Sequence, residues 1–275
     1  MKKDKTPGSI KLIADLKRRV EREQEAHDEY DVLAENARIK NRFPHLEIYP
    51  SLKILLDEVH THSSGLSGKT VLDYGCGRGE ESLNYLEHGA EKVYGIDISI
   101  RYIEHAAMNA GRAGYPEDRY AFHVMDAHKL DFPDSTFDLV IGHAILHHLD
   151  PWIALQEIYR VLKPGGRLLL NEPLADNPLL KLFRLLTPHA RTKDEKPFTG
   201  KQIESILQMQ GWESELIFCG LIEAPTAMIT SVLMRHRSDN ALLRLAHTIE
   251  KWTHRHRILL SWNQYVLLNM RKVGR

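Results

Sequence analysis

The sequence predicts an α/β fold in which helices cover both faces of a doubly wound, mostly parallel sheet. Two observations carry this prediction. From about residue 70 onwards, short apolar runs alternate with longer amphipathic runs, which is typical of βαβ units. The first apolar run also passes directly into a glycine-rich turn at 75–79, and open α/β sheets bind ligands beyond the carboxyl ends of their strands.

The elements follow from hydrophobic periodicity, taken in chain order. A charged amphipathic helix is expected over about 10–30, because Ile13, Leu16, Val20, His27 and Tyr30 recur on one face. Further helices are expected at about 50–60, 80–88, 99–113, 151–162 and 200–210. The predicted strands are 70–74, 92–97, 121–125, 137–142, 167–172, 212–218 and 264–270.

The composition limits the classes of protein to which this chain can belong. The chain has 275 residues, 43% hydrophobic and 27% charged, which is ordinary for a globular protein. Its formal net charge is zero, so no overall field attracts nucleic acid. No run approaches the roughly 18 to 20 apolar residues of a membrane span, and no apolar segment suggests a signal peptide. With only Cys76 and Cys219, a disulfide framework is excluded, and we expect a cytoplasmic protein.

The glycine-rich turn is the strongest local signal. Glycines at 75, 77 and 79 allow positive φ and close approach of a ligand to the backbone. A nicotinamide dinucleotide fold would need a third glycine where Glu80 stands. Asp73, two residues before the turn, suits the cationic amino group of a bound amino acid better than a pyrophosphate. A plain tight turn is the alternative interpretation.

Two further strands end in a carboxylate. Asp97 follows the turn by about 20 residues, which places it to accept both hydroxyls of a ribose, with capping of the next helix as the alternative. Asp126 could accept the exocyclic amine of an adenine while the Ala127 amide pairs with a ring nitrogen, or it could lie in a surface turn. Three carboxylates at successive strand ends favour a nucleoside-like ligand.

These motifs, together with 137–149 and the Val161-Leu-Lys-Pro-Gly-Gly-Arg-Leu-Leu169 turn, resemble class I S-adenosylmethionine-dependent methyltransferases over about 70–172. The resemblance is to the group that includes ubiquinone and menaquinone biosynthesis methyltransferases. It implies a seven-stranded Rossmann-like sheet with an antiparallel last strand at 264–270, and S-adenosylmethionine as cofactor with S-adenosylhomocysteine as product. By resemblance, the cofactor-binding residues are Asp73, Gly75, Cys76, Gly77, Asp97, Ile98, Asp126, Ala127 and His143.

Candidates for catalysis are weaker. His147 occupies the position that resembles a catalytic histidine in phosphoethanolamine methyltransferases, where it works with a tyrosine from a lid helix, here Tyr30. Packing or capping is the alternative role for His147. Glu172, at the end of the fifth strand, is a further pocket candidate. The segment 194–199 could close over the pocket or form a polar loop with Thr199 as helix N-cap. No metal site is expected, because the histidines show no ligand spacing supported by Cys or carboxylates.

The chain is expected to divide into an N-terminal helical lid (1–62), an S-adenosylmethionine-binding α/β domain (63–220 and 263–275) and a helical insertion (221–262).

A small-molecule or lipid-like acceptor is expected, because Gly142-His-Ala-Ile stands where methyltransferases of nucleic acid bases carry Asp/Asn-Pro-Pro-Tyr. The insertion holds an apolar stripe at Leu242, Leu245, Ile249 and Trp252 beside basic residues. An exposed stripe would suit a peripheral membrane contact or a greasy substrate, and a buried one would pack on the sheet or form a homodimer contact. A non-methylating enzyme, such as a cyclase, or a scaffold on the same fold is the alternative function.

Overall fold

The structure is a computed structural model, and it describes residues 18–25, 28, 32–63, 65–186, 195–237 and 239–274. Seven strands form one sheet: β1 (Thr70–Tyr74), β2 (Lys92–Asp97), β3 (Tyr120–Val124), β4 (Phe137–His143), β5 (Leu162–Pro173), β6 (Trp212–Cys219) and β7 (Tyr265–Lys272). The strand order is β3-β2-β1-β4-β5-β7-β6. β7 runs antiparallel to both β5 and β6, and the remaining pairs are parallel. The predicted fold class, including the antiparallel last strand, is confirmed.

Helices cover the sheet and extend beyond it. Residues 18–25 are helical, and part of the helix predicted over 10–30 lies outside the described residues. The named helices are α1 (Val32–Arg42), α2 (Pro50–Ser63), α3 (Glu80–Glu87), α4 (Ile100–Arg112), α5 (Pro151–Val161), α6 (Pro178–Leu186), α7 (Gly200–Leu207), α8 (Glu223–Leu233) and α9 (Ala241–Thr253). Short 3₁₀ turns lie at Pro44–Glu47, Glu117–Arg119, Leu146–His148 and Arg257–Trp262. Among the described residues, no helix has the length and apolar character to cross a bilayer.

The core lies on both faces of the sheet because side chains alternate along each strand. In β1, Leu72 and Tyr74 belong to one buried cluster, while Val71 between them belongs to the other. β5 divides in the same way, with Leu168 on one face and Leu169 on the opposite face. This two-sided burial explains why these strands are continuous apolar runs in the sequence.

Local signals set several helix ends. Ser99 caps α4, with its hydroxyl accepting a hydrogen bond from the amide of Tyr102 at 3.3 Å. Asp150 caps α5 through the amides of Trp152 and Ile153. Thr199 forms a reciprocal capping box at the start of α7, which is the structural role that the sequence allowed for it.

Candidate functional site

A cleft of about 860 Å³, measured to its open mouth, lies at the carboxyl ends of β1, β2 and β4. Seven of the cofactor-binding residues predicted from the sequence line this cleft: Gly75, Gly77, Asp97, Ile98, Asp126, Ala127 and His143. The topology therefore brings most of the predicted cofactor residues to one edge of the sheet.

The turn after β1 forms the floor of the cleft. Gly75, Gly77 and Gly79 all have positive φ, at 80°, 53° and 80°, which confirms the reason for glycine at these positions. The amides of Gly75 and Cys76 donate to the carbonyl of Ile96 in β2, at 3.0 and 2.9 Å. These bonds fix the turn against the neighbouring strand.

Asp97 contacts both the glycine turn and the residue that caps α4. Its Oδ2 accepts a hydrogen bond from the amide of Gly77 at 3.0 Å, and its Oδ1 accepts one from the amide of Ser99 at 2.9 Å. The carboxylate thus joins the glycine turn to the start of α4. The side chain also lines the cleft, where the sequence predicts the hydroxyls of a ribose.

Asp126 is held by a histidine that sequence analysis did not single out. Its Oδ1 accepts hydrogen bonds from the amide of His128 at 2.9 Å and from the His128 Nδ1 at 2.7 Å. The amide of Asp150 donates to His128 Nε2 at 2.8 Å, so Nδ1 must carry the ring proton. Burial raises the pKa of Asp126, but the hydrogen bonds from His128 outweigh it and hold the pKa below its ordinary value. The signal for His128 was its position two residues after Asp126.

Two of the predicted cofactor residues do not line the cleft. Asp73 is buried behind the glycine turn, where its Oδ2 accepts a hydrogen bond from the Ser82 hydroxyl at 2.5 Å. Burial raises the pKa of Asp73 to about 7. The Cys76 side chain is buried against Gly95 and Phe122, so that a Cβ added at Gly95 would lie 2.9 Å from the Cys76 sulfur. Within the turn, the Cys76 thiol donates to the carbonyl of Gly77 at 3.7 Å.

The two consecutive histidines after β4, His147 and His148, lie in different environments. His147, the predicted catalytic residue, is buried and does not line the cleft; its Nδ1 donates to Glu172 Oε2 at 2.8 Å. Glu172 is itself fully buried and accepts hydrogen bonds from the amides of Ile145, Leu146 and His147. His147 and Glu172 are therefore bonded to each other outside the set of residues that line the cleft.

His148 lines the cleft in place of His147. Its Nδ1 donates to Glu23 Oε2 at 3.2 Å. Burial lowers the pKa of His148, but the hydrogen bond to Glu23 and the nearby carboxylates raise it above its ordinary value. Val20 and Glu23, from the helical residues 18–25, also line the cleft. Tyr30, the second predicted catalytic residue, lies outside the described residues.

His143 faces the cleft from the end of β4. Burial lowers its pKa, an effect that the carboxylates of Glu81 and Glu172 partly oppose. The next residue, Ala144, has a φ of 52° and also lines the cleft, so the chain turns sharply where the strand ends. His143 thus presents an imidazole with a lowered pKa in the same cleft as the predicted ribose and adenine carboxylates.

The comparisons with known proteins agree with this geometry. Residues 72–170 match the family described as Methyltransferase domain. Over 107 residues the chain is 39% identical to 27-O-demethylrifamycin SV methyltransferase from Amycolatopsis mediterranei (strain S699), covering 38% of this chain and 39% of that protein. Residues 72–170 therefore form a methyltransferase domain of the class I S-adenosylmethionine-dependent type.

Two solved structures share the fold of this class I methyltransferase. Phosphoethanolamine N-methyltransferase 2 from Haemonchus contortus, solved in complex with S-adenosyl-L-methionine, superposes with a TM-score of 0.58 at 19% identity, covering 81% of this chain and 53% of that one. The [4+2]-cyclase SpnF superposes with a TM-score of 0.52 at 23% identity, covering 79% and 81%. The chain spans about half or less of the length of the first curated relatives that it matches, from 21% to 55%.

The cleft fits the cofactor of the family, S-adenosylmethionine. The Asp97 carboxylate lines the cleft as an acceptor for a diol, and Asp126 with the Ala127 amide offers an acceptor and a donor side by side for an adenine edge. Apolar side chains complete the walls of the cleft, as is usual where an adenine ring is bound. They are Val20, Ile96, Ile98, Met125, Ile145 and Leu149.

Proposed function

We propose that this protein transfers a methyl group from S-adenosylmethionine to a small-molecule or lipid-like acceptor. The observation that carries the proposal is the single cleft in which Asp97, Asp126 and the glycine turn meet. The Amycolatopsis relative, a 27-O-demethylrifamycin SV methyltransferase, supports a small acceptor. A formal net charge of zero argues against nucleic acid as the acceptor.

Bound S-adenosylmethionine would supply a methyl group that an acceptor nucleophile displaces in line from sulfur, leaving S-adenosylhomocysteine. The contribution of this chain is then alignment of the two reactants and exclusion of water, which can supply on the order of 7 to 11 kcal/mol. The amides of Gly75 and Cys76 are tied to β2, and both oxygens of Asp97 are anchored on backbone amides. The binding residues are therefore held in place by hydrogen bonds within the fold.

We assign the proton-accepting role, where the acceptor needs one, to His143. This ring lines the cleft, and burial keeps its pKa below the ordinary value of a histidine. His147, by contrast, is engaged with Glu172 away from the cleft. A base so placed typically contributes about 10² to 10⁴ in rate. The variant His143→Gln should therefore lose turnover while retaining affinity for S-adenosylhomocysteine within a few fold.

We propose that residues 1–62 form a lid over the acceptor side of the α/β domain (63–220 and 263–275). Two contacts of the described residues support this. Glu23 in the helical residues 18–25 is hydrogen-bonded to His148 at the wall of the cleft. Asp28 accepts a hydrogen bond from the Ser99 hydroxyl at 2.5 Å, beside the end of β2. The N-terminal segment thus has polar contacts at two places along the cleft.

We further propose that the insertion 221–262 makes a peripheral membrane contact. The apolar stripe of α9 is exposed, with Leu245 at 58% and Trp252 at 57%, while Leu243 and Ala246 on the other face are buried. Lys251 and Arg255 lie exposed at the end of the same helix. An apolar stripe beside basic residues is the pattern of a helix that lies in the interface of an anionic membrane.

Co-sedimentation tests the membrane contact. Vesicles with anionic lipid should bring down the protein, neutral vesicles should bring down less, and the double substitution Leu245→Gln with Trp252→Gln should abolish binding. The matched control is Met108→Gln, which changes an exposed apolar residue on α4. Absence of binding to either vesicle, together with a dimer in sedimentation velocity that the double variant dissociates, would assign the stripe to a homodimer contact instead.

Transfer itself is tested with methyl-labelled S-adenosylmethionine and a metabolite extract. Methyl transfer predicts a labelled small or lipid product and an equal amount of S-adenosylhomocysteine. The fold similarity to SpnF favours one second candidate, a non-methylating cyclase that keeps the cofactor. Cofactor binding without label in any fraction would reject methyl transfer and support that candidate.

A further inference from the structure

Three side chains that could bind a metal meet beside the wall of the cleft. His147 and His148 are consecutive in the 3₁₀ turn Leu146–His148, and Glu195 comes from the segment that precedes α7. One nitrogen of each ring and one carboxylate oxygen of Glu195 all lie within 4.8 Å of one another. His148 Nε2 is 3.9 Å from Glu195 Oε1. Spacing along the sequence gave no sign of this cluster, because Glu195 is remote from the histidines.

The cluster is held together by the backbone as well as by its side chains. The amide of Lys196 donates to the carbonyl of His147 at 2.9 Å, which fixes the residue after Glu195 against the histidine turn. The rings of His147 and His148 lie side by side, with their centroids 4.2 Å apart. All three side chains are largely buried, with exposed fractions of 5%, 14% and 12% for His147, His148 and Glu195. The three groups are therefore positioned by the fold.

Each histidine also has a carboxylate on its other nitrogen. His147 Nδ1 donates to Glu172 at 2.8 Å, and His148 Nδ1 donates to Glu23 at 3.2 Å. Donation from Nδ1 leaves Nε2 as the nitrogen that can present a lone pair. Metal-binding histidines almost always carry such a carboxylate or carbonyl partner, because it fixes the tautomer and the ring orientation. Both histidines of the cluster meet this requirement.

We propose that His147 Nε2, His148 Nε2 and the Glu195 carboxylate bind one divalent transition-metal ion of the Zn²⁺ class. Two imidazoles and one carboxylate suit Zn²⁺ and Co²⁺, whereas Mg²⁺ and Ca²⁺ prefer oxygen ligands alone. In a tetrahedral site with bonds of about 2.0–2.1 Å, the donor atoms lie about 3.3 Å apart. The observed separations of up to 4.8 Å then require the donors to converge by roughly 1.5 Å at most, which rotation of Glu195 can supply.

The position of the ion gives it a role beside the cleft. Three protein ligands leave a fourth position open, as in catalytic rather than structural zinc sites. Because His148 also lines the cleft, the open position lies next to the space for the acceptor. There the ion would bind an oxygen of the acceptor and favour its deprotonated form. This role, unlike metal binding itself, rests on the proposed methyl transfer.

Cobalt titration tests the site. Tag-free full-length protein is stripped with a chelator and titrated with Co²⁺, whose visible absorption reports ligand number and geometry. The proposal predicts one Co²⁺ per chain with the intense bands of a four-coordinate site, displaced by Zn²⁺. Glu195→Gln and His148→Gln should each weaken Co²⁺ binding by about 10-fold or more, since even outer partners of metal ligands contribute 10- to 100-fold. The matched control, Glu204→Gln on the exposed face of α7, should bind like the parent protein.

Two results would overturn the metal site: less than stoichiometric Co²⁺ in the parent protein, or equal Co²⁺ affinity in the parent protein and Glu195→Gln. Thermal unfolding followed by circular dichroism shows whether each variant is folded, and Glu195→Gln serves if His148→Gln is not. Calorimetry with S-adenosylhomocysteine on the same samples separates this proposal from the proposed function. Cofactor binding without metal binding rejects the metal site alone, and metal binding without cofactor binding rejects the proposed function alone.

Discussion

Removal of the Asp97 carboxylate changes the cleft at one defined point. Asp97→Ala deletes the acceptor for the amides of Gly77 and Ser99, and it deletes the carboxylate that we assign to the ribose hydroxyls. The Gly77 amide borders the open cleft, so water can replace the carboxylate there. We therefore expect a small loss of unfolding free energy, about 1–2 kcal/mol, and a larger loss of affinity for the cofactor.

The expected affinity follows from counting hydrogen bonds. A hydrogen bond to a charged acceptor contributes about 1.5–3 kcal/mol, so two bonds to the ribose give about 3–6 kcal/mol. Asp97 is only partly buried, and water that enters the cleft recovers part of this energy. We expect a loss near the lower end, about 3 kcal/mol, which corresponds to an affinity for S-adenosylhomocysteine roughly 10²-fold weaker.

Isothermal titration calorimetry with S-adenosylhomocysteine measures this directly, and urea unfolding of the unliganded protein measures the structural part. The matched control is Asp118→Ala, which removes an exposed carboxylate away from the cleft and should leave affinity unchanged. A folded Asp97→Ala variant that binds S-adenosylhomocysteine within about threefold of the parent protein would show that the ribose is held elsewhere.

Three further changes test the structure around the cleft. Burial raises the pKa of Asp73 from 3.8 to about 7. The free energy of unfolding that this carboxyl contributes is therefore complete below about pH 4 and falls by up to about 4 kcal/mol as the pH rises to 7. Asp73→Asn should remove this loss, which urea unfolding between pH 4 and 8 measures. Glu172→Gln places an amide against the two His147 donors on Oε2 and should lower unfolding free energy by about 2–4 kcal/mol in urea unfolding. Gly142→Ala would bring its Cβ within 2.6 Å of the Tyr74 carbonyl oxygen, so thermal unfolding should show a loss of at least about 2 kcal/mol.

Each of these changes has a control or a contradictory outcome. For Asp73, a stability difference between variant and parent that is constant from pH 4 to 7 would show that the carboxyl titrates normally in the fold. For Glu172, the control is Glu213→Gln, which breaks an exposed ion pair with Arg271 and should cost less than about 1 kcal/mol. For Gly142, an alanine variant as stable as the parent would mean that β1 and β4 are less closely packed than the structure shows.

The strands that form the cleft could be predicted almost to the residue. β1 and β2 match their predicted bounds because both are short, buried runs that end at a glycine turn or a carboxylate. β5 begins five residues earlier than the predicted start at residue 167, because Leu162 already pairs with Phe137 of β4. The turn residues do break the pairing: residues 163–166 lie between the Leu162 and Arg167 pairs, and Gly165 has a φ of 78°.

Which of the two histidines, His147 or His148, lines the cleft could not be predicted from the sequence. The Leu146-His-His-Leu149 pattern is symmetric, so it does not show which ring faces the cleft. The direction of each ring depends on the positive φ of Ala144 and on the hydrogen bonds that Glu172 accepts from the amides of Leu146 and His147. Neither feature has a local sequence signal. Contacts between remote segments, such as Glu195 with His148, likewise follow from the tertiary fold alone.

The sequence also did not decide whether the apolar stripe of the insertion is covered or exposed. An apolar stripe at helical spacing predicts a face, but the same pattern arises whether the face is covered or exposed. In α9 the buried side is formed by Leu243, Ala246 and Glu250, so the more apolar stripe faces outward. Burial of Glu250 explains this choice, because its carboxylate accepts hydrogen bonds from the amides of Gly220, Ile222 and Glu223.

A crystal structure of the full chain with S-adenosylhomocysteine tests the central assignment most directly. The arrangement of the strand ends predicts the ribose on Asp97, the adenine between Asp126 and the Ala127 amide, and the amino-acid portion over the turn at Gly75 and Gly77. Electron density for the ligand outside this cleft, or a ligand in the cleft with no contact to either carboxylate, would contradict the assignment.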